Sequence, residues 1–392
     1  MKMIKRAIPI ALCSVIFLSG CFPFLQPEEQ LIEEEEHGED QVVELSPEVY
    51  TSENYYRSVL YDGSYTHGEG RGFSNAVVYN RLDIEQLELG LMEIANERFD
   101  PEKYYFREGQ FISRNELNNW LMRFEEDENP LGLNPPLGSG NNLKEQEESQ
   151  PRYLSHLLEH NYLVENANGQ LELGGVVIGL SMNTVYNYRI FDDQGRIYRY
   201  EVDINRKKME EEGKRMAEEI VSRLRSPNRE EGSLENVPII VALFQEEKRE
   251  AIVPGNFIMK GVAEPQRQID KWQAINQKYY FYPSTLATNE QRNDAERFLK
   301  FKEEINDFFD NYIGVVGKGF YKDEQLTEMT IEIPIRFQGK AEIIALTQFS
   351  ADRIAQRFPS NLKIQVYITS VSGQEAIIVR NPNEDPFIHI YR

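Results

Sequence analysis

The chain is short of cysteine, of basic residues and of long apolar runs, and each shortage excludes a class of protein. Only Cys13 and Cys21 are cysteines among 392 residues, so no disulfide framework spans the chain, and its cores must rest on ordinary apolar packing, which this length permits. Basic side chains number 43 against 65 acidic ones, a formal net charge of −22. Such a surface repels nucleic acid phosphates and anionic headgroups, so nucleic acid is excluded as a partner. One long apolar run stands out, Ala7 to Leu18, which is too short and wrongly flanked to span a bilayer. Composition predicts no cofactor, and several signatures are missing. Gly68-Glu69-Gly70-Arg71-Gly72 puts Phe73 where a dinucleotide loop needs its last glycine, and reads as a flexible lead-in to the first domain. Gly179-Leu180-Ser181-Met182-Asn183 lacks the final glycine of a nucleophile elbow, and Ser181 reads as structural. Gly314 to Gly319 lacks phosphate-loop spacing and reads as a hairpin or helix-exit turn.

What is present begins at the N-terminus. Lys2, Lys5 and Arg6 precede the apolar run, and Leu18-Ser19-Gly20-Cys21 follows it. Basic residues hold the start of the chain inside, and small residues at Ser19 and Gly20 expose the backbone to a peptidase. This pattern predicts a lipoprotein export signal over residues 1–20, cleaved at Leu18, Ser19 and Gly20, with a diacylglycerol on Cys21. The expected partners are the membrane and the lipoprotein-processing enzymes, and the expected place is the outer face of the cytoplasmic membrane. Two acyl chains anchor stably, at roughly 0.8 kcal/mol per buried CH₂. Loss of the leader leaves 40 basic against 65 acidic residues, a net −25. Residues 21–49 follow as an acidic tether, with eight carboxylates between Glu28 and Asp40. A tract of this composition buries little apolar surface and is expected to be disordered; some 30 flexible residues span about 30 Å.

An internal repeat organises the rest. Lys103-Tyr104-Tyr105-Phe106 recurs as Lys278-Tyr279-Tyr280-Phe281, and the apolar run Val176 to Met182 recurs as Met329 to Phe337. Ala217, Ile220, Val221 and Leu224 match Ala351, Ile354, Ala355 and Phe358, both sets on one helical face. Ile239 to Phe244 matches Ile364 to Ile368, and Glu250-Ala251-Ile252-Val253 matches Glu375-Ala376-Ile377-Ile378. The numbering offset shrinks along the two halves, which places the insertions in the first copy, among them Asn129 to Gln150. The fold class is therefore α+β, with two related repeat domains, residues 50–262 and 263–392. Each is read as a mostly antiparallel sheet with helices packed on one face. Pro265 is expected to open a helix that buries Ile269, Trp272 and Ile275. The Tyr-Tyr-Phe clusters are read as core, and a cleft between the repeats is the expected place for a small ligand or peptide.

One motif points to an enzyme. His156-Leu157-Leu158-Glu159-His160 has the H-x-x-E-H order of inverted zinc peptidases, in which two histidines four apart on a helix bind zinc. The alternative is an exposed helix over residues 152–165 whose acidic residue lies near two histidines because the chain is so acidic. No third-ligand motif follows, which favours the exposed helix and a protein that is not an enzyme.

The segment Gly174-Gly175-Val176-Val177-Ile178-Gly179-Leu180-Ser181-Met182-Asn183-Thr184-Val185-Tyr186, preceded by Asn161-Tyr162-Leu163, resembles the CamS sex-pheromone lipoprotein family of Gram-positive bacteria. Lys103 to Gln110 is similar to that family too. The resemblance covers nearly the whole chain and implies a lipoprotein. In some members the residues before the lipidated cysteine are released as a short hydrophobic peptide that induces conjugative plasmid transfer. Here the corresponding residues are Ser14-Val15-Ile16-Phe17-Leu18-Ser19-Gly20, which carry no charged side chain. They depart from the family's peptide at Ser14, in the place of phenylalanine, and at Gly20.

Overall fold

The computed structural model describes residues 43–48, 55–71, 80–308, 314–336 and 339–392. The leader, Cys21, the Ser14 to Gly20 peptide and all but the end of the tether lie outside the described residues. Within the tether's expected range, Val43–Leu45 forms strand β1. It pairs with β2 (Val59–Tyr61), which pairs with β3 (Ser64–Tyr65).

Two six-stranded sheets follow, and they share one plan. The first half runs α1 (Ile84–Asn96), β4 (Tyr104–Glu108), α2 (Arg114–Leu121), α3 (Leu143–Ser149), β5 (Leu154–Glu165) and β6 (Leu171–Met182). It continues through the hairpin β7 (Val185–Phe191) and β8 (Ile197–Asp203), then α4 (Arg206–Leu224), β9 (Ile239–Gln245), β10 (Asn256–Ala263) and β11 (Ile269–Ala274). The second half runs β12 (Gln277–Tyr282), α5 (Thr285–Glu290), α6 (Arg292–Phe308), β13 (Val316–Lys322) and β14 (Gln325–Pro334). After these come α7 (Lys340–Arg357), β15 (Lys363–Ser370), β16 (Gly373–Arg380) and β17 (Phe387–Ile390). Read from β4, the first sheet is ordered β4-β5-β6-β9-β10-β11, and the second is β12-β13-β14-β15-β16-β17. In each the one parallel pair is central, β6 with β9 and β14 with β15. One long helix, α4 or α7, makes the crossover, as a parallel connection requires. The fold is α+β with mostly antiparallel sheets, and the repeat is a repeat of topology.

The two long helices form because their apolar residues share a stripe. In α4 that stripe is Met209, Met216, Ala217, Ile220, Val221 and Leu224; in α7 it is Ile343, Leu346, Ala351 and Ile354. Asn205 caps α4 by accepting from the Lys208 amide at 3.3 Å, and Ser113 and Glu116 form a capping box on α2. The second sheet meets the expectation of one covered face, with α6 and α7 over the alternating buried residues of β15. The first sheet is covered on both faces. Val176, Ile178, Leu180 and Met182 of β6 pack with α2 and α4, while Val177 packs with Leu87, Leu91 and Ile94 of α1.

Several sequence expectations are corrected here. The segment after Pro265 is a strand, not a helix: β11 pairs with β10, and a register shift between Gly261 and Ala263 puts Ile269 and Trp272 in one core despite their odd spacing. The expected boundary after residue 262 falls inside β10, and the first sheet runs on to Ala274. Glu250 to Val253 lies in the loop between β9 and β10, so the counterpart of β16 is β10. Gly317 and Gly319 belong to β13 rather than to a turn. A Cβ on Gly317 would stand 2.5 Å from the buried Phe298 ring. Residues 152–165 hold β5, not an exposed helix.

Candidate functional site

β4 is shorter than its neighbour, and the site arises from that mismatch. Its last residue, Glu108, pairs with His160, whereas β5 extends back to Leu154 on its other partner, β6. Gly109 still donates its amide to the Glu159 carbonyl at 3.0 Å before the chain turns away. Only glycine fits there, because a Cβ would stand 2.5 Å from the Glu159 side chain. Beyond this point the edge of β5 from His156 to Glu159 borders a cavity of about 410 Å³. Helix α1 contributes Ile84 and Glu88, the segment after β4 contributes Ile112, α2 contributes Leu117, and the turn from His67 to Arg71 closes the remaining side.

That turn is fastened rather than loose, contrary to the expected flexible lead-in. The Glu108 carboxylate accepts from the Tyr65 hydroxyl at 2.7 Å and from the Gly68 amide at 2.6 Å. The Glu69 amide donates to the Gly109 carbonyl at 2.9 Å, and Gln110 Nε2 donates to the His67 carbonyl at 2.9 Å. Buried Glu159 fastens the opposite wall, accepting from the amides of Phe111 (3.1 Å) and Ile112 (2.9 Å) and from Asn161 Nδ2 (2.6 Å). Burial pushes its carboxyl up while these N–H donors pull it down, and burial prevails.

His156 and His160 line the same cavity and are 3% and 2% exposed. Burial disfavours their charged forms and lowers them to about 4 and about 3, so both imidazoles are neutral at pH 7. The His160 ring meets Phe106 edge-on with centroids 5.0 Å apart. The zinc arrangement does not assemble. On an extended strand residues four apart lie roughly 13 Å apart. Glu159 points to the side of Phe111 and Ile112, whereas His160 packs with Phe106 and Tyr162. Among the described residues no group of three or more His, Cys, Asp or Glu is placed to hold a metal.

Ser181 is buried in β6 and donates its hydroxyl to Glu246, just beyond β9; burial raises this carboxyl to about 8. Of the aromatic clusters, Phe106, Tyr279 and Tyr280 are buried, and Tyr104 packs with Phe99 in the α1 core. The ligand-sized cavity belongs to the first half. Sequence reading found His156, Glu159 and His160 but missed Glu88, Glu108, Arg71 and the anchoring role of Glu159. The segments that carried the resemblance lie side by side: Lys103 to Gln110 spans β4, Asn161 to Leu163 lies in β5, and Gly174 to Tyr186 runs through β6.

The sequence profile of the family described as CamS sex pheromone cAM373 precursor matches residues 65–386. Among solved structures, a sex pheromone precursor from Lactobacillus salivarius subsp. salivarius UCC118 is 28% identical, with a TM-score of 0.79 over 90% of this chain and 99% of its own. The C-terminal domain of the sex pheromone staph-cAM373 precursor from Staphylococcus aureus is 27% identical, with a TM-score of 0.65 over 79% of this chain and 96% of its own. No curated protein matches the chain at a significant level.

Proposed function

Because the chain belongs to the CamS sex pheromone cAM373 precursor family, we propose that it is a lipid-anchored surface lipoprotein whose leader yields a hydrophobic signalling peptide. Residues 1–20 direct export, processing enzymes cut after Gly20, and Cys21 takes the diacylglycerol that holds the protein on the outer face of the cytoplasmic membrane. The peptide released is Ser14 to Gly20. The observation that carries this reading is the run of Lys2, Lys5 and Arg6, an apolar stretch and Leu18-Ser19-Gly20-Cys21 in a chain of this family. Among the described residues no helix is long and apolar enough to cross a membrane. Mass spectrometry of the culture medium should find the Ser14 to Gly20 peptide, and a Cys21→Ala strain should lose it. Its absence from both media would remove the precursor role.

A second reading concerns the folded part, which we take to be a non-catalytic binding module. The cavity beside β5 supports it: about 410 Å³ lies in the range of small-ligand sites, and the residues resembling a zinc motif diverge around it.

A further inference from the structure

The geometry points to one ligand class for this cavity: an apolar molecule carrying a single ammonium group, held by Glu88 with its apolar body along the open edge of β5. The inference rests on the binding-module reading above and adds to it the chemistry of the ligand.

Three carboxylates border the cavity, and two are already used. Glu108 accepts from Tyr65 and Gly68, and Glu159 accepts from Phe111, Ile112 and Asn161. Glu88 lies half-buried on α1 and makes no hydrogen bond or ion pair within the described residues. Burial and the nearby charges of Glu108 and Glu85 push its carboxyl up, so its charge is costly where it stands and a cation beside it relieves that cost. The single guanidinium of the lining, Arg71, is exposed and pairs with neither Glu88 nor Glu108. Deeper in, Ile112, Leu117 and Leu157 offer buried apolar surface, with Leu158 beside them and Ile84 exposed at the rim, and the two imidazoles are neutral at pH 7. A second charge placed among these apolar groups, away from the exposed Arg71, would therefore enter without a partner, at a cost of several-fold to a hundredfold in affinity. The open edge of β5 also suits an extended backbone, since β4 stops at Glu108.

An alkylamine and the free N-terminus of a short apolar peptide share this chemistry, and probes separate them. Ligand-observed NMR on the purified protein would compare hexylamine, 1-hexanol, hexanoate, and Leu-Phe amide with and without N-acetylation. Hexylamine is expected to bind roughly tenfold tighter than hexanol and hexanoate more weakly than either, the advantage of a charged hydrogen bond in a partly buried site. Glu88→Gln should remove the preference for the amine while leaving hexanol binding unchanged, which also shows that the variant folds. Leu-Phe amide binding tighter than hexylamine, with loss on acetylation, would assign the site to peptides; hexylamine binding alone would assign it to free amines. Equal binding of hexanol and hexylamine, unaffected by Glu88→Gln, would overturn the ammonium and leave the cavity. Gly70→Leu, which places a side chain against Leu117, should abolish binding of every probe, and binding that survives it, or no binding of any probe by the wild type, would overturn the binding reading of this cavity.

Discussion

Acidification from pH 6.5 to 4.5 should cost the wild-type protein about 2.3 kcal/mol relative to His160→Gln, the largest pH effect assigned to one side chain. His160 is held at about 3 and His156 at about 4 by burial, against roughly 6.5 for a free imidazole. Above pH 6.5 neither the folded nor the unfolded chain binds a proton at these positions, and the stability is fully present. Below it the unfolded chain takes up protons that the folded chain refuses, so each group removes about 1.4 kcal/mol per pH unit until its folded value is passed. Glu246, raised to about 8, has the opposite sign. Between about pH 4.5 and 8 its folded form keeps a proton that the unfolded form has lost, so stability falls as pH rises through that window. Glu246→Gln should therefore escape about 2 kcal/mol of loss that the wild type suffers between pH 6.5 and 8. Urea midpoints of the three proteins at pH 4.5, 6.5 and 8 decide this. Parallel curves for His160→Gln and wild type would mean that the imidazole is protonated in place.

Ile220→Ala and Ile354→Ala should each cost 2–5 kcal/mol, the usual range for emptying a fully buried site of this size. The two residues occupy equivalent turns of α4 and α7, and both are 0% exposed, but they belong to different cores. Ile220 packs in the α2 and α4 core of the first sheet, and Ile354 packs in the core of the second. The contacts between the halves include Lys322 with Glu93 at 2.7 Å and the Phe257 amide donating to Gln277 Oε1 at 3.2 Å, but the two clusters share no residue. Hydrogen exchange should consequently accelerate in β13 to β16 for Ile354→Ala while β5, β6 and β9 keep their protection, and the reverse for Ile220→Ala. Equal acceleration in both sheets would show that they open as one unit.

The parts of this fold that could be read from the chain are those with one wet and one dry face. β15 alternates buried and half-buried residues, and α4 and α7 carry their apolar residues at helical spacing, so all three were legible. β5 is buried on both faces over most of its length, and a segment without a polar side gives periodicity nothing to separate strand from helix. β11 failed for a different reason. The extra residue that brings Ile269 and Trp272 to one face lies in β11 itself, where residues 269–272 oppose only 261–263 of β10, and simple alternation does not reveal a bulge. The site was legible as residues and not as an arrangement. His156, Glu159 and His160 were found, but what Glu159 does depends on amides at Phe111 and Ile112, some fifty residues earlier in the chain. Glu88 had no signal at all, since one acidic residue on a helix resembles any other until β4 ends and leaves an opening beside it.

The parallel pair at the centre of each sheet also bears on the order in which the molecule assembles. Met329 on β14 must find Ile364 on β15, whereas Val176 on β6 must find Ile239 on β9 across a longer stretch that includes the β7–β8 hairpin. Closing the longer loop costs more chain entropy, by about 0.5 kcal/mol on the usual logarithmic dependence. Contacts distant in sequence also slow the search. Chain connectivity therefore favours the second sheet as the earlier to close, with the first, which carries the hairpin and the cavity, completing later.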